Sequence, residues 1–187
     1  MQIITEIPEL DTAPKAIALG TFDGVHLGHR AVILSACESA KKEGLIPSVF
    51  TFSGLPKNAF LPEPLRVTPL TAFGEKAALI EALGAELMFA PPFTRETAAI
   101  PAEEFAREIL IRRLGARHIV CGSDHRFGAG GRGDAALLHS ICRETGCALT
   151  VIPPVALRGR RISSTLIRSL LLEGRVDDAR ELLGHGI

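Results

Sequence analysis

Short apolar runs alternate along this chain with stretches in which apolar residues recur every three to four positions. Residues 17–19, 46–52, 86–90, 118–121 and 148–152 read as buried strands, because continuous apolar runs of that length suit a sheet covered on both faces. Residues 30–42, 75–83, 102–114 and 134–145 carry the helical period. Gly44, Gly84, Gly115 and Gly146 each follow a helical stretch, where a left-handed C-terminal cap is expected. Asp134 is placed to cap the helix that follows it. Strand–helix alternation predicts an α/β chain of Rossmann-like type: a five-stranded parallel sheet with helices on both faces. Ligands of such sheets bind beyond the carboxyl ends of the strands. Residues 53–70 hold Pro56, Pro62, Pro64 and Pro69, a density that predicts a long loop.

The first strand runs straight into Gly20-Thr21-Phe22-Asp23-Gly24-Val25-His26-Leu27-Gly28-His29 and then into a helix. A glycine turn into a helix N-terminus is an anion site, since free N–H groups and the positive end of the dipole face the ligand. Two histidines three residues apart can face the same group. The phosphate loop Gly-x4-Gly-Lys-Ser/Thr is absent, and the glycines at 20, 24 and 28 do not fit Gly-x-Gly-x-x-Gly. What remains is His-x-Gly-His after a strand, suited to a polyphosphate and similar to the signature of the nucleotidylyltransferase superfamily.

Composition narrows the class. With 187 residues, 20.0 kDa and 47% hydrophobic residues, residues 1–187 are expected to form a single globular domain. A net charge of +0 argues against nucleic acid as the main ligand. No apolar stretch is long enough to span a bilayer, and the first residues lack the pattern of a signal peptide, so a cytoplasmic enzyme is expected. The four cysteines (Cys37, Cys121, Cys142 and Cys147) have no metal-ligand spacing and are expected to be free thiols.

Two further segments carry chemistry. In Gly122-Ser123-Asp124-His125-Arg126-Phe127-Gly128 the glycines let backbone approach a ligand closely. Asp124 there could hold Mg2+ or a ribose hydroxyl, and Arg126 or Arg132 a phosphate. In Ile162-Ser163-Ser164-Thr165-Leu166-Ile167-Arg168 a hydroxyl caps a helix, with Arg168 one turn on, a second anion site.

Taken in order, these three segments resemble the adenylyltransferase domain of bacterial bifunctional FAD synthetases. The resemblance covers nearly the whole chain. It implies transfer of AMP from ATP to FMN, giving FAD and pyrophosphate with Mg2+. It implies that His26, His29 and Arg168 are catalytic. Gly20, Thr21, Phe22, Asp23, His26, His29, Asp124, Ser163, Ser164, Thr165 and Arg168 would bind ATP, with Asp124 also near the metal. Pro56, Lys57, Phe60, His125 and Phe127 would lie on the flavin side.

Three departures stand out. Where the family commonly reads Thr-Phe-x-Pro-His-Pro-Arg, this chain has Thr51-Phe52-Ser53-Gly54-Leu55-Pro56-Lys57. His125 stands where Phe is usual. The sequence stops about where the family's riboflavin kinase domain would begin, so kinase activity is not expected. Two alternatives remain open: a nucleotidylyltransferase with another phosphate acceptor, and a non-catalytic nucleotide- or flavin-binding module.

Overall fold

Residues 16–19 have no polar side to present, and the computed structural model, which describes residues 1–186, places them at the centre of a sheet. Strands β1 (Gln2–Ile4), β2 (Lys15–Leu19), β3 (Ile46–Phe50), β4 (Leu87–Phe89), β5 (Ala116–Gly122) and β6 (Ala148–Ile152) pair in the order β1-β4-β3-β2-β5-β6, all parallel. The sheet therefore has six strands, not five. The additional one, β1, is a three-residue edge strand with no exposed-buried alternation for a pattern search to find.

Chain order proceeds from β2 to β3 and β4 on one side, then returns to β5 on the other. The switch between β2 and β5 opens a crevice at their carboxyl ends, Leu19 and Gly122.

Alternate residues of the central strands face opposite layers. Ala18, Val49 and Val120 pack with helices α1 (Leu27–Glu43) and α2 (Phe73–Ala82) through Val32, Ile33, Ala36, Ala77 and Ile80. Ile17, Leu19, Ile119 and Cys121 pack on the other face. That layer holds α3 (Arg95–Ala99), the single turn α4 (Ala102–Glu104), a π-helical stretch Phe105–Arg113 and α5 (Ala135–Thr145). The sequence predicts one α-helix over 102–114. The chain instead winds as a π-helix over Phe105–Arg113, and Ala106, Leu110 and Leu114 are fully buried on its sheet-facing side. Asp134 caps α5 as expected, its carboxylate accepting from Leu137 N–H at 3.0 Å.

A third cluster joins the chain's last helices to the crevice. A small hairpin, β7 (Ala156–Leu157) with β8 (Arg160–Arg161), leads into α6 (Ser164–Leu172) and α7 (Val176–Leu183). Ile162, Ile167, Leu170, Leu182 and Leu183 pack there with Leu27 and Leu70. Two glycines of the 122–134 segment are required by packing. A Cβ on Gly128, whose φ is +70°, would meet the Ala102 backbone at 2.4 Å, and one on Gly133 would meet the Phe127 ring at 2.6 Å.

Candidate active site

The turn 20–29 is strained, and the strain shapes the site. Phe22 (φ 49°) and Val25 (φ 38°) both occupy the left-handed region, which costs a β-branched valine most. Burial of both side chains holds them there. His26 then caps α1: the His29 N–H donates to its Nδ1 at 3.2 Å. That bond fixes the tautomer, leaving the proton on Nε2 when the ring is neutral. A Cβ at Gly28 would stand 3.2 Å from the His26 ring and press on it. The His26 and His29 rings stack at 3.6 Å, and Phe22 meets His29 edge-on at 5.4 Å.

Burial holds both imidazoles neutral. It brings His26 down to about 4 against the opposing fields of Asp23 and Asp124. It also holds His29 well below its ordinary value, with the fields of His26 and Lys76 acting in the same direction. Among the described residues, His29 Nδ1 is the one buried side-chain nitrogen or oxygen with no hydrogen-bond partner. Its Nε2 is thus the nitrogen open to the cleft that His29 lines.

That cleft, about 370 Å³, lies at the β2–β5 switch. Gly20, Thr21, His26, Gly28 and His29 form one wall, and Arg161, Ser163, Ser164 and Thr165 face them. Ser163 caps α6, accepting from Leu166 N–H at 3.2 Å. Two helix N-termini, from α1 and α6, therefore line one cavity with no acidic residue in either first turn. Asp124 also lines it, but its carboxylate is paired with Arg161.

Arg168 and Asp23 are placed differently from a pair of direct phosphate ligands. Neither lines the cleft. They form a largely buried ion pair behind it, and Arg168 also donates to Thr68 O at 3.0 and 3.1 Å and to Ser164 O at 3.3 Å. Asp23 accepts from Leu70 N–H at 2.8 Å, and Ser164 Oγ donates to Asp23 O at 2.9 Å. The pair fastens the turn, the proline-rich loop and α6 together.

A second cavity of about 260 Å³ adjoins the first. Phe50, Phe52, Phe93, Phe105 and Phe127 line it, with Pro56, Ile100 and His125. Leu19, Gly20, Thr21, His125 and Arg126 belong to both cavities. Of the residues expected on the flavin side, Pro56, His125 and Phe127 are there. Lys57 and Phe60 are not: Phe60 is 53% exposed, touching the pocket only through its tilted contact with Phe93 at 6.0 Å. The proline-rich loop, with its two short 3-10 turns, carries them outward.

Sequence reasoning also missed Lys76. Its ammonium is buried under the turn, donating to Phe52 O at 2.8 Å and to Thr21 O and Thr51 Oγ1 at 3.4 Å. The signal was a lone lysine among the inward positions Lys76, Ala77 and Ile80 of α2. Burial pushes it down to about 8, against the field of Asp23. We expect Lys76→Met to leave the melting temperature at pH 7 within about 3 °C of wild type. Relief of a penalty of roughly 3 kcal/mol offsets the lost hydrogen bonds. The unfolded chain binds the extra proton between pH 8 and 10.5, so wild-type stability should rise with pH in that window. Thermal melts of both proteins from pH 7 to 10.5 would check this; equal slopes would refute it.

Neutral histidines make an acid prediction as well. His26 and His125 are both held near 4 by burial against an ordinary 6.5, so between those values the unfolded chain binds more protons. Stability should fall as pH drops from 6.5 to 4, by roughly 3 kcal/mol for His26 at full effect. Melting temperatures across that range test it, and His125→Phe should show a smaller loss.

The pattern matched by the FAD synthetase family model covers residues 9–166. The chain belongs to the FAD synthetase family. It is 34% identical over 190 residues to the bifunctional riboflavin kinase/FMN adenylyltransferase of Escherichia coli (strain K12), covering 99% of this chain and 60% of that protein. It is 34% identical over 182 residues to the FAD synthetase of Listeria monocytogenes, covering 97% of this chain and 73% of the relative. A crystal structure described as a macrolide-efflux protein from Streptococcus pneumoniae superposes with a TM-score of 0.84 at 29% identity, over 98% of this chain and 60% of that one. No helix among the described residues is long and apolar enough to cross a membrane.

As a member of the FAD synthetase family the chain would be expected to work with Mg2+, and its own residues fit such an ion poorly. Among the described residues no three His, Cys, Asp or Glu side chains cluster as ligands. Asp23 and Asp124 are each taken by an arginine. A hard divalent cation would have to rely on phosphate oxygens and water for most of its shell.

Proposed function

We propose that this chain is an FMN adenylyltransferase, joining ATP and FMN to give FAD and pyrophosphate. One observation carries the reading. A polar cleft at two helix N-termini shares a wall with a chamber of five phenylalanines. A triphosphate suits the first, through backbone N–H groups, Thr165 and Arg161. A flat tricyclic ring suits the second better than an aliphatic acceptor would, since ring stacking and edge contacts favour aromatic partners.

With both substrates bound, a phosphate oxygen of FMN would attack the α-phosphorus in line. The new P–O bond forms as the bond to the β-phosphate bridging oxygen breaks, and pyrophosphate leaves with that electron pair. His26 and His29, each presenting a neutral Nε2–H, would donate to oxygens that gain charge in that transition state. Arg168 would serve by holding Asp23 and the proline-rich loop; a triphosphate would have to compete with Asp23 to draw it into the cleft. Asp124, freed from Arg161, would accept from a ribose hydroxyl.

Incubation with FMN, ATP and Mg2+, followed by chromatography for FAD and an assay for pyrophosphate, tests the reading. No FAD with ATP binding intact would refute it. Pyrophosphate release with a different phosphate acceptor, and none with FMN, would reassign the acceptor.

A further inference from the structure

His125 is the feature of the shared wall that neither cavity explains. It lines the phosphate cleft and the aromatic chamber at once. The other side chains on that wall do different work: Leu19 is apolar, Thr21 stands exposed at the mouth, and Arg126 is turned to Asp134 at 3.2 Å. The His125 ring lies nearly parallel to Phe127, 14° between planes and 5.9 Å between centroids. Its backbone is pinned by a tight turn in which His125 N–H donates to Gly122 O at 3.0 Å.

The imidazole is largely surrounded by protein, yet no hydrogen bond supports it. Burial lowers its basicity with only the field of Asp124 opposing. Neither ring nitrogen is sealed off from the surface, and the residue lines both cavities. A phenylalanine would pack on Phe127 equally well. The polar edge therefore has no structural task, and a half-buried N–H that finds no protein partner is placed for a ligand.

Resting on the FMN adenylyltransferase reading, we propose that His125 is a specificity determinant that donates an N–H to the acceptor's phosphate where it passes from the aromatic chamber into the cleft. The ring is neutral near pH 7, with one nitrogen donating and the other accepting. A phosphate dianion leaving water for this junction needs a donor, and the aromatic chamber offers none from its phenylalanines. The contact would separate phosphorylated flavin from riboflavin, which is alike in the ring system but lacks the phosphate.

The experiment compares wild type, His125→Phe and His125→Gln, with dissociation constants for FMN and riboflavin from quenching of flavin fluorescence and with steady-state FAD formation. A charge-assisted hydrogen bond predicts FMN binding about tenfold or more weaker in His125→Phe. Riboflavin binding should stay within about twofold of wild type, because packing on Phe127 is kept. His125→Gln, which retains a neutral donor, should recover most of the preference for FMN. Equal weakening of both flavins, no change in either, or glutamine behaving as phenylalanine would overturn the role of His125 while leaving FMN adenylyltransfer standing. A wild-type protein that binds no flavin would overturn both.

Discussion

His29→Ala is expected to lower the rate of FAD formation by roughly 100- to 1,000-fold, with little change in ATP affinity. The imidazole makes few contacts that hold the fold: its Nδ1 has no partner, and its ring stacks on His26 and meets Phe22 edge-on. What it offers is a preorganised donor. Burial keeps it neutral, and the cap between His26 Nδ1 and the His29 backbone fixes the turn that aims it. A donor of this kind gains most where charge develops, so the loss should fall on kcat rather than on binding. Steady-state kinetics with a separate ATP binding measurement tests it. A rate within threefold of wild type would remove His29 from the chemistry.

Arg168→Ala should act through the fold instead. Asp23 is 5% exposed and would be left buried without its counter-ion. Breaking a buried pair costs roughly 3–5 kcal/mol, about 10 °C in melting temperature for a chain of this size. FAD formation should fall too, since Thr68 O loses both of its bonds from the guanidinium and the proline-rich loop loses its anchor. Adding Asp23→Asn to the variant should restore part of the stability, because the unpaired charge is then gone. Thermal melts of the single and double variants check this. An unchanged midpoint in Arg168→Ala would mean that Arg168 is not the clasp described.

Legibility followed contiguity in sequence. The turn 20–29, the Ser163 cap and the Asp134 cap were readable because their chemistry lies within a few residues of itself. So were five of the strands, from their apolar runs, although β6 at the sheet's edge has no buried residue. The aromatic chamber was not, because Phe50 and Phe52, Phe93, Phe105 and Phe127 come from four separate segments with no common spacing. Arg168 shows the limit in another form. Its register on α6 was correct, but the direction of its guanidinium depends on Asp23, 145 residues earlier. Lys57 and Phe60 lie outside the aromatic chamber for a related reason: prolines predict a loop without predicting where it leads.

The clasp between Asp23 and Arg168 also sets an order of events in time. All six strands are complete by Ile152, so a nascent chain can close its sheet before α6 exists. The turn at 20–29 then waits, strained and without its ion partner, until residues from the far end of the sequence dock on it. Closing so long a loop costs entropy and is slow compared with local structure. Competence to hold a nucleotide should therefore appear last, as a late step distinct from collapse of the core. Opening of this latch, with the sheet intact, is where native-state exchange should first reach the site.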